Sequence, residues 1–517
     1  MGLAGFSIEK YESDGLKASG SGFPDDQVLT NLNSAAKKNS ISSSYSSNTL
    51  ASFLSRLEYK FNNRYLLTLN FRADGSSQFG PDKRWGYFPS GAVAWIITEE
   101  NFMKDYSNIV SYLKLRGSVG KTGSQNLGAY DWRTLMGSAT YNGAAGIVPS
   151  SLGNDILQWE EQIQKEVGLD YGFWDDRIRG TLGYYQKKVD NLLYSDPVPT
   201  SSSFSSVYQN IGSLKNRGIE FDVRVDIIKN VQKDLTWNVD FNIARNRTTL
   251  EKLNSSDGYF GGGAYDYFKI EEGGETGRFY GYKDAGRLFM TNEELVGLKT
   301  IDPKTGTLKY YRDDYNYERQ GDVYIMDLDG DGQITADGDR TVIGNANPDF
   351  FGGFGSTLYW KGLMLNAVFS YSVGGDRFWD EEKNSSGDMN VYNTSNRILD
   401  SWTVNPGVNA SYPRAMYYGW GSNSIITDRY IHDASYLRMT ALNLSYRLPK
   451  HLYKNSILNA VEFTFQATNL FTWTKYPGMD PQGNFSTSYS AFYNMGIDYS
   501  SYPSARTYNL GIKITLK

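Results

Sequence analysis

The sequence predicts an all-β fold, an antiparallel transmembrane β-barrel with long loops on one side. Three observations predict it. Segment after segment alternates apolar and polar residues, the period of a strand with one greasy and one wet face. Many of these runs reach about 10 residues, the length a tilted strand needs to cross a bilayer and longer than the ~5–6 usual in soluble proteins. Roughly 13 or 14 such runs can be counted, and their polar faces are too many for one soluble core.

The elements follow in chain order. Phe53, Leu57, Tyr59 and Phe61 share a parity with Ser55, opposite Arg56, Glu58 and Lys60. Asn62-Asn63 then supply a tight turn, because Asn tolerates positive φ, and Tyr65, Leu67, Leu69 and Phe71 form the return strand of a first hairpin. Asp74-Gly75, followed by Ser76-Ser77, reads as turn chemistry. Ile219, Phe221, Val223 and Val225 alternate with Glu220, Asp222, Arg224 and Asp226. Leu235, Trp237, Val239, Phe241 and Ile243 alternate with Thr236, Asn238, Asp240 and Asn242. Leu437, Met439 and Ala441 hold one parity, then Leu442, Leu444, Tyr446 and Leu448 the other, as a β-bulge would produce. Val461, Phe463 and Phe465 alternate with Glu462, Thr464 and Gln466. The last run, Tyr508, Leu510, Ile512, Ile514 and Leu516, is the clearest. The apolar set should meet lipid and the polar set a wet lumen.

Composition agrees by exclusion. The chain has 517 residues, 40% of them hydrophobic and 15% aromatic. Its mean hydropathy of -0.50 would pass for soluble, but alternation cancels in an average. The longest apolar stretches are short, such as Ala92 to Ile97, so a spanning helix of roughly 20 apolar residues is excluded. The 40 Tyr and 11 Trp suit either pleated surfaces or interfacial girdles. With no Cys and 2 His, disulfides and thiolate metal sites are excluded. A net charge of -5 offers no basic field for nucleic acid. A large soluble propeller or sandwich would share the alternation, and strand length argues against it.

Segments 122–155, 248–350 and 375–432 are rich in Gly, Asn, Ser, Asp and Tyr and read as long loops. Asp26 to Lys38 reads as a short helix in another. One loop carries a specific motif. In Asp327-Leu328-Asp329-Gly330-Asp331-Gly332-Gln333-Ile334, carboxylates at positions 1, 3 and 5 converge on one hard cation. Gly332 allows the sharp turn and the Gln333 carbonyl adds an oxygen. Position 12 of an EF-hand is an acid; here it is Gly338, so Asp339 closes the site one residue late, with Asp337 as the alternative. No helical pattern flanks it. The expectation is a structural Ca²⁺ clamp within residues 315–345, against the plainer reading of a solvated Asp-Gly turn.

Catalytic signatures are absent: the sequence has no G-x-S-x-G, P-loop or H-E-x-x-H motif. His432 and His451 read as rim residues. Loop aromatics are the ligand candidates, since aromatic faces stack on sugar rings and pack on peptides. Tyr259, Tyr265 and Tyr267 sit among glycines near Phe260, and Tyr418 and Trp420 lie in a later loop with Tyr417. Self-packing of the loops is the competing reading.

A set of motifs resembles the C-terminal half of the barrel of SusC/RagA-type, TonB-dependent outer-membrane transporters of Bacteroidota. They are Arg72-Ala73-Asp74-Gly75-Ser76-Ser77 with Phe79-Gly80, Phe88-Pro89-Ser90 with Ala94-Trp95, Leu113-Lys114-Leu115-Arg116, and Leu157-Gln158-Trp159-Glu160. Asn216-Arg217-Gly218-Ile219-Glu220, the acidic loop ending in Ile343-Gly344-Asn345, Asn469-Leu470-Phe471-Thr472 and Tyr476-Pro477-Gly478-Met479-Asp480-Pro481 complete the series. Each is weak alone; their order and spacing are specific. In that family the acidic loop usually reads D-x-N-G-D-G, whereas the middle ligand here is Asp329 and the closing Asp339 is late.

The resemblance implies that residues 1–517 are one portion of a 22-stranded barrel, an arc of about 14 strands. It implies a plug in the lumen, a TonB box pulled by TonB-ExbB-ExbD, and a SusD-like lipoprotein over the mouth. Oligosaccharide or peptide ligands and an outer-membrane location follow from it too. The plug, TonB box and signal peptide are not recognisable in this sequence, and an open arc leaves strand edges that lipid does not tolerate. The expectation is therefore a fragment or one half of a split barrel. The functional alternatives are active uptake, a structural barrel subunit without transport, and a soluble calcium-stabilised glycan-binding or hydrolytic β-protein.

Overall fold

A computed structural model describes the chain apart from residues 231, 254–258, 261–266, 292–293, 295–299, 302–307, 310–319, 333, 387–393, 405, 408–409, 416–422, 424, 455–456, 484–494 and 517. Fourteen strands form one sheet, each hydrogen-bonded to its neighbours in chain order. They are β1 (Gly2–Ser21), β2 (Lys37–Phe61), β3 (Tyr65–Ser76), β4 (Trp85–Ile96), β5 (Val110–Ser124), β6 (Glu160–Phe173) and β7 (Ile178–Asp190). Then follow β8 (Ser213–Asn230), β9 (Leu235–Lys252), β10 (Phe350–Trp360), β11 (Leu363–Val373), β12 (Tyr436–Arg447), β13 (Leu458–Thr474) and β14 (Thr507–Leu516). β1 and β14 end the order and do not pair with each other among the described residues, so the sheet is an arc.

Connections differ between the two ends. One end carries mainly short turns, with 97–109 the longest, and the tightest hold residues in the left-handed region: Asn62 and Asn63 at φ 49° and 59°, Lys361 and Gly362 at 47° and 87°. The other end carries long segments, 125–159, 253–349, 374–435 and 475–506 among them. Short turns on one side and long loops on the other are the outer-membrane habit, with the long loops outside the cell.

Register carries the parity from strand to strand. Leu358, Leu365, Leu444, Phe465 and Leu510 are successive cross-strand partners. One residue along, Thr357, Asn366, Asn443, Gln466 and Asn509 form the parallel polar row. Asn366 and Asn443 donate along it, to Thr357 Oγ1 at 2.8 Å and Asn366 Oδ1 at 3.0 Å. Leu115, Leu169, Leu182, Phe221 and Ile243 make the same apolar row further back. Lys114, Asp170, Thr181 and Asp222 line the other face, where Lys114 pairs with Asp170 at 3.1 Å. A slip by one residue would invert every face at once.

The parity switch in β12 is a bulge, with both register shifts at Val368/Phe369 and Met439/Ala441. Thr440 is the extra residue, and its hydroxyl donates to the Val368 carbonyl at 3.1 Å. Leu437 and Met439 thereby stay on the apolar face with Leu442 and Leu444. Aromatics mark both ends of that face: Phe61, Tyr65 and Trp95 stack near the short turns, and Phe53, Trp85, Phe71 and Tyr87 near the long loops.

Three local expectations are corrected. Asp74-Gly75-Ser76 is strand, not turn: Gly75 faces Trp85 across the ladder, and a Cβ there would meet the indole at 2.9 Å. Asp74 is buried and accepts from Arg72 Nε at 2.7 Å. The turn falls later, at 77–84. Between Asp26 and Lys38 there is only a 3-10 turn, Leu32–Ser34, and Lys37 already begins β2. Asp25 takes the N–H groups of Gln27, Val28 and Leu29 there, a turn closure that competes with a helix. The hairpin read as the first, β2–β3, is preceded by β1, whose alternation is broken by Gly, Ser and charge.

Several sequence motifs meet in one cluster. Phe79, Phe88, Leu127, Leu157 and Trp159 are buried together at the long-loop end. The Trp159 Nε1–H donates to the Arg84 carbonyl at 2.9 Å. Gly123 leaves room for the Phe88 ring, which no side chain at that position could share.

Candidate functional site

Three long segments fold into one body over the long-loop end. Tyr267, Phe268 and Phe279 come from the β9–β10 segment, Phe378 and Tyr430 from β11–β12, and Ile497 from β13–β14, and all are buried together. Short strands hold them: Arg278–Tyr282 pairs with Arg340–Asn345, and Asp376–Trp379 lies between Ile431–Asp433 and Ile497–Asp498. A second core joins Leu288, Phe289, Val323, Ile325 and Ile334.

The acidic turn is built on that second core. Its strand Val323–Ile325 pairs with Asp284–Leu288, and Ile334 anchors the far side at 1% exposure. Asp327 accepts from the N–H of Gly330 at 2.7 Å and of Gly332 at 2.8 Å. Asp339, fully buried, accepts from Leu328 N–H and Thr335 N–H, both at 2.7 Å. These bonds turn carboxylate oxygens of Asp327, Asp329 and Asp339 toward one point, all within 4.8 Å of one another. Asp331 and Asp337 lie outside that group, and Gln333 outside the described residues. Of the two closing candidates, the geometry brings in Asp339 because the one-turn helix Ala336–Asp339 spends the extra residue. Gly338 packs against the Asp329 carboxylate with no room for a Cβ. The Asp331 N–H pulls the Asp329 carboxyl down, but desolvation and the like charges of Asp331, Asp339 and Asp327 outweigh it and push it up. Convergent hard oxygens with mutual repulsion suit a divalent, oxygen-seeking cation.

Buried charges lock the rest of the body. Glu382, 5% exposed, accepts from Arg397 Nη1 at 2.5 Å and from the Tyr412 hydroxyl at 3.1 Å through one oxygen. Its other oxygen lies 2.6 Å from His432 Nε2. Burial pushes the Asp284 carboxyl up, against the pull of the Arg429 guanidinium 2.6 Å away. The Tyr476 hydroxyl donates to Asp498 at 2.8 Å, and burial followed by that carboxylate pushes the phenol well above its usual range. On the polar face of the wall, a cavity of about 270 Å³ lies beside Arg116, Glu166, Thr181, Tyr185 and Glu220. Gly183 helps line it, and a Cβ there would meet nothing within 4 Å.

Of the expected ligand aromatics, Tyr267 is a core residue at 3% exposure, its hydroxyl donating to Asp380 Oδ1 at 2.7 Å. It therefore packs the loops and presents no face to a ligand. Tyr265, Tyr418 and Trp420 lie outside the described residues. So does the side chain of Tyr259, whose backbone pairs with Glu271. His432 is an inter-loop contact rather than a rim residue; His451 does sit exposed on the short-turn rim. Sequence reasoning missed Glu382, Arg438 and Tyr430. For Arg438 a signal existed, a charged residue between Leu437 and Met439 in the first half of its strand.

The sheet and its loops define a class: an outer-membrane β-barrel built of up-and-down antiparallel strands, with no helix among the described residues long and apolar enough to cross a membrane. Residues 5–470 match the family model described as TonB dependent receptor-like, beta-barrel, and the chain belongs to that family of outer-membrane proteins. Curated relatives include TonB-dependent receptor P3 of Formosa agariphila, 33% identical over 99% of this chain and 50% of its own length. TonB-dependent receptor SusC of Bacteroides thetaiotaomicron is 32% identical over 90% of this chain and 44% of its own. Among solved structures, that of the RagAB peptide transporter superposes with a TM-score of 0.78 at 26% identity, covering 99% of this chain and 53% of that one. The chain thus spans about half the length of the curated relatives it matches. These relatives are receptors and transporters, not enzymes.

Proposed function

We propose that the whole protein actively imports an oligosaccharide or peptide too large for a porin. TonB-ExbB-ExbD supplies the energy, and a SusD-like surface lipoprotein closes over the loops. The observation that carries this reading is the loop body. Three segments from separate hairpins share one buried core at the outward end of the sheet, where an arriving ligand first meets the barrel. The likeness to SusC and to the RagAB peptide transporter supports it. The acidic turn serves this body as a Ca²⁺ clamp in which the three converging carboxylates of Asp327, Asp329 and Asp339 hold the ion. The cation ties the strand at 323–325 to the one at 340–345.

The test is genetic. A strain lacking the gene is grown on defined oligosaccharides or on peptides as sole nutrient. Loss of growth on one class, restored by the gene and equally lost without TonB, is expected. Unimpaired growth on every class, with altered outer-membrane assemblies, would instead make the barrel a structural subunit.

A further inference from the structure

The short-turn rim is electrically divided. The β4–β5 turn carries Glu99, Glu100 and Asp105 against Lys104 and Arg64 of the β2–β3 turn, and the β6–β7 turn Asp175 and Asp176 against Arg177. The β8–β9 turn balances Lys233 with Asp234, whose carbonyl accepts from the Lys361 N–H at 3.0 Å. The β10–β11 and β12–β13 turns carry Lys361, Lys450 and Lys454 and no acid at all. These two turns are neighbours, because β11 pairs with β12 and the Arg447 N–H donates to the Gly362 carbonyl at 2.8 Å.

The three lysines are exposed, and among the described residues none has a carboxylate partner. The polar face of the wall behaves differently: Lys114 and Arg179 both hold cross-strand carboxylates there. Apolar side chains accompany the lysines. Trp360 shares the lipid-side parity with Leu358 and is 49% exposed; Leu452 and Ile457 are 63% and 72% exposed. The Lys361 ammonium sits 5.7 Å from the Trp360 ring centroid, held at the outer circumference rather than over the lumen.

We propose that this part of the rim binds anionic phospholipid headgroups of the inner leaflet. Trp360, Leu452 and Ile457 enter the acyl boundary, and Lys361, Lys450 and Lys454 meet the phosphates above it. An indole at the interface with ammonium groups a few ångströms further out is the arrangement that interfacial anchoring requires. Unpaired lysines near an anionic surface each add about 1 kcal/mol of attraction. A protein partner on the same rim is the competing occupant; the exposed apolar groups at lipid depth favour lipid.

The test places the full protein in nanodiscs of phosphatidylcholine doped with phosphatidylglycerol and counts retained lipids by native mass spectrometry. The wild type should retain phosphatidylglycerol preferentially, and the preference should fade in about 0.5 M salt. K361Q/K450Q/K454Q should lower it about a hundredfold. K361R/K450R/K454R should keep it, as should K17Q/K83Q on the opposite end of the sheet. An unchanged preference in the glutamine variant overturns the proposal. So does loss of binding to the periplasmic domain of TonB with lipid preference intact, which would make the patch a protein-docking surface. If the glutamine variant does not fold, salt-insensitive retention by the wild type has the same force.

Discussion

Arg438 on β12 and Asp480 in the β13–β14 loop form an ion pair, Nη2 to Oδ1 at 2.6 Å, with side chains only 5% and 7% exposed. It ties the third loop segment to the wall just beyond the bulge. Desolvation opposes the charge on Asp480, but the Gln482 N–H, Arg438 and the Ser504 N–H outweigh it and hold the carboxyl below its usual range. A depressed carboxyl contributes stability above its unfolded pKa, near 3.9, and loses it as pH falls through the lower folded value. Protease protection of residues 475–483 and 495–506 should thus persist at pH 5 and fail only in stronger acid. Arg438→Ala leaves a buried carboxylate unpaired, at a cost of about 3–5 kcal/mol, and should expose that segment to protease at neutral pH. Protection equal to wild type would refute the pair's role.

Within the acidic turn, the geometry separates residues that the sequence leaves alike. Asp339→Asn should abolish any EGTA-sensitive protection of residues 320–345, because both its oxygens and its charge are in use. Asp337→Asn should leave protection unchanged. The readout is limited proteolysis with and without chelator, and equal behaviour of the two variants would remove Asp339 from the site.

The assignment of faces is tested by neighbours. Leu444→Arg puts a cation on the lipid side, which costs about 2–4 kcal/mol near the bilayer middle. Asn443→Lys, one residue earlier, points into the polar row and should be tolerated. Folding yield into lipid vesicles, followed by heat-modifiable gel mobility, gives both values; the reverse order would invert the barrel.

Phe79 is fully buried with Phe88, Leu157 and Trp159. Phe79→Ala should cost about 3–5 kcal/mol through the cavity it leaves. The tryptophan emission of the protein should shift to the red as Trp159 gains solvent. An unshifted spectrum at unchanged stability would mean the cluster is not packed this way.

Glu382→Gln removes the charge that Arg397 and His432 both contact. Loop segments 396–400 and 431–433 should then exchange amide hydrogens faster, by an opening about 1–3 kcal/mol easier, while amides of β10 and β11 stay protected. Uniform loosening of the sheet would show that the loops are not a separate unit of stability.

Much of the wall is legible in the sequence. Alternation along Thr507–Leu516 or Leu235–Lys252 fixes both the strand and the face each residue takes, since a pleated strand has a period of two and the signal needs only its own neighbours. The parity switch at Thr440 is readable for the same reason. It fails at β1, where Gly15, Gly20 and scattered serines blur the period, and at Asp74-Gly75, where a turn-like pair is held extended by the ladder to β4.

The sequence by itself determined the all-β class, most of the strands with the faces their residues take, and the carboxylate spacing of the acidic turn, all of which are short-range patterns. Only the tertiary structure decided that Asp339 closes the turn, that Tyr267 is core and that Glu382 and Arg438 are hubs. Their partners lie up to 113 residues away along the chain, in loops with no period. There, burial and pairing depend on which distant segments the barrel brings to the same end.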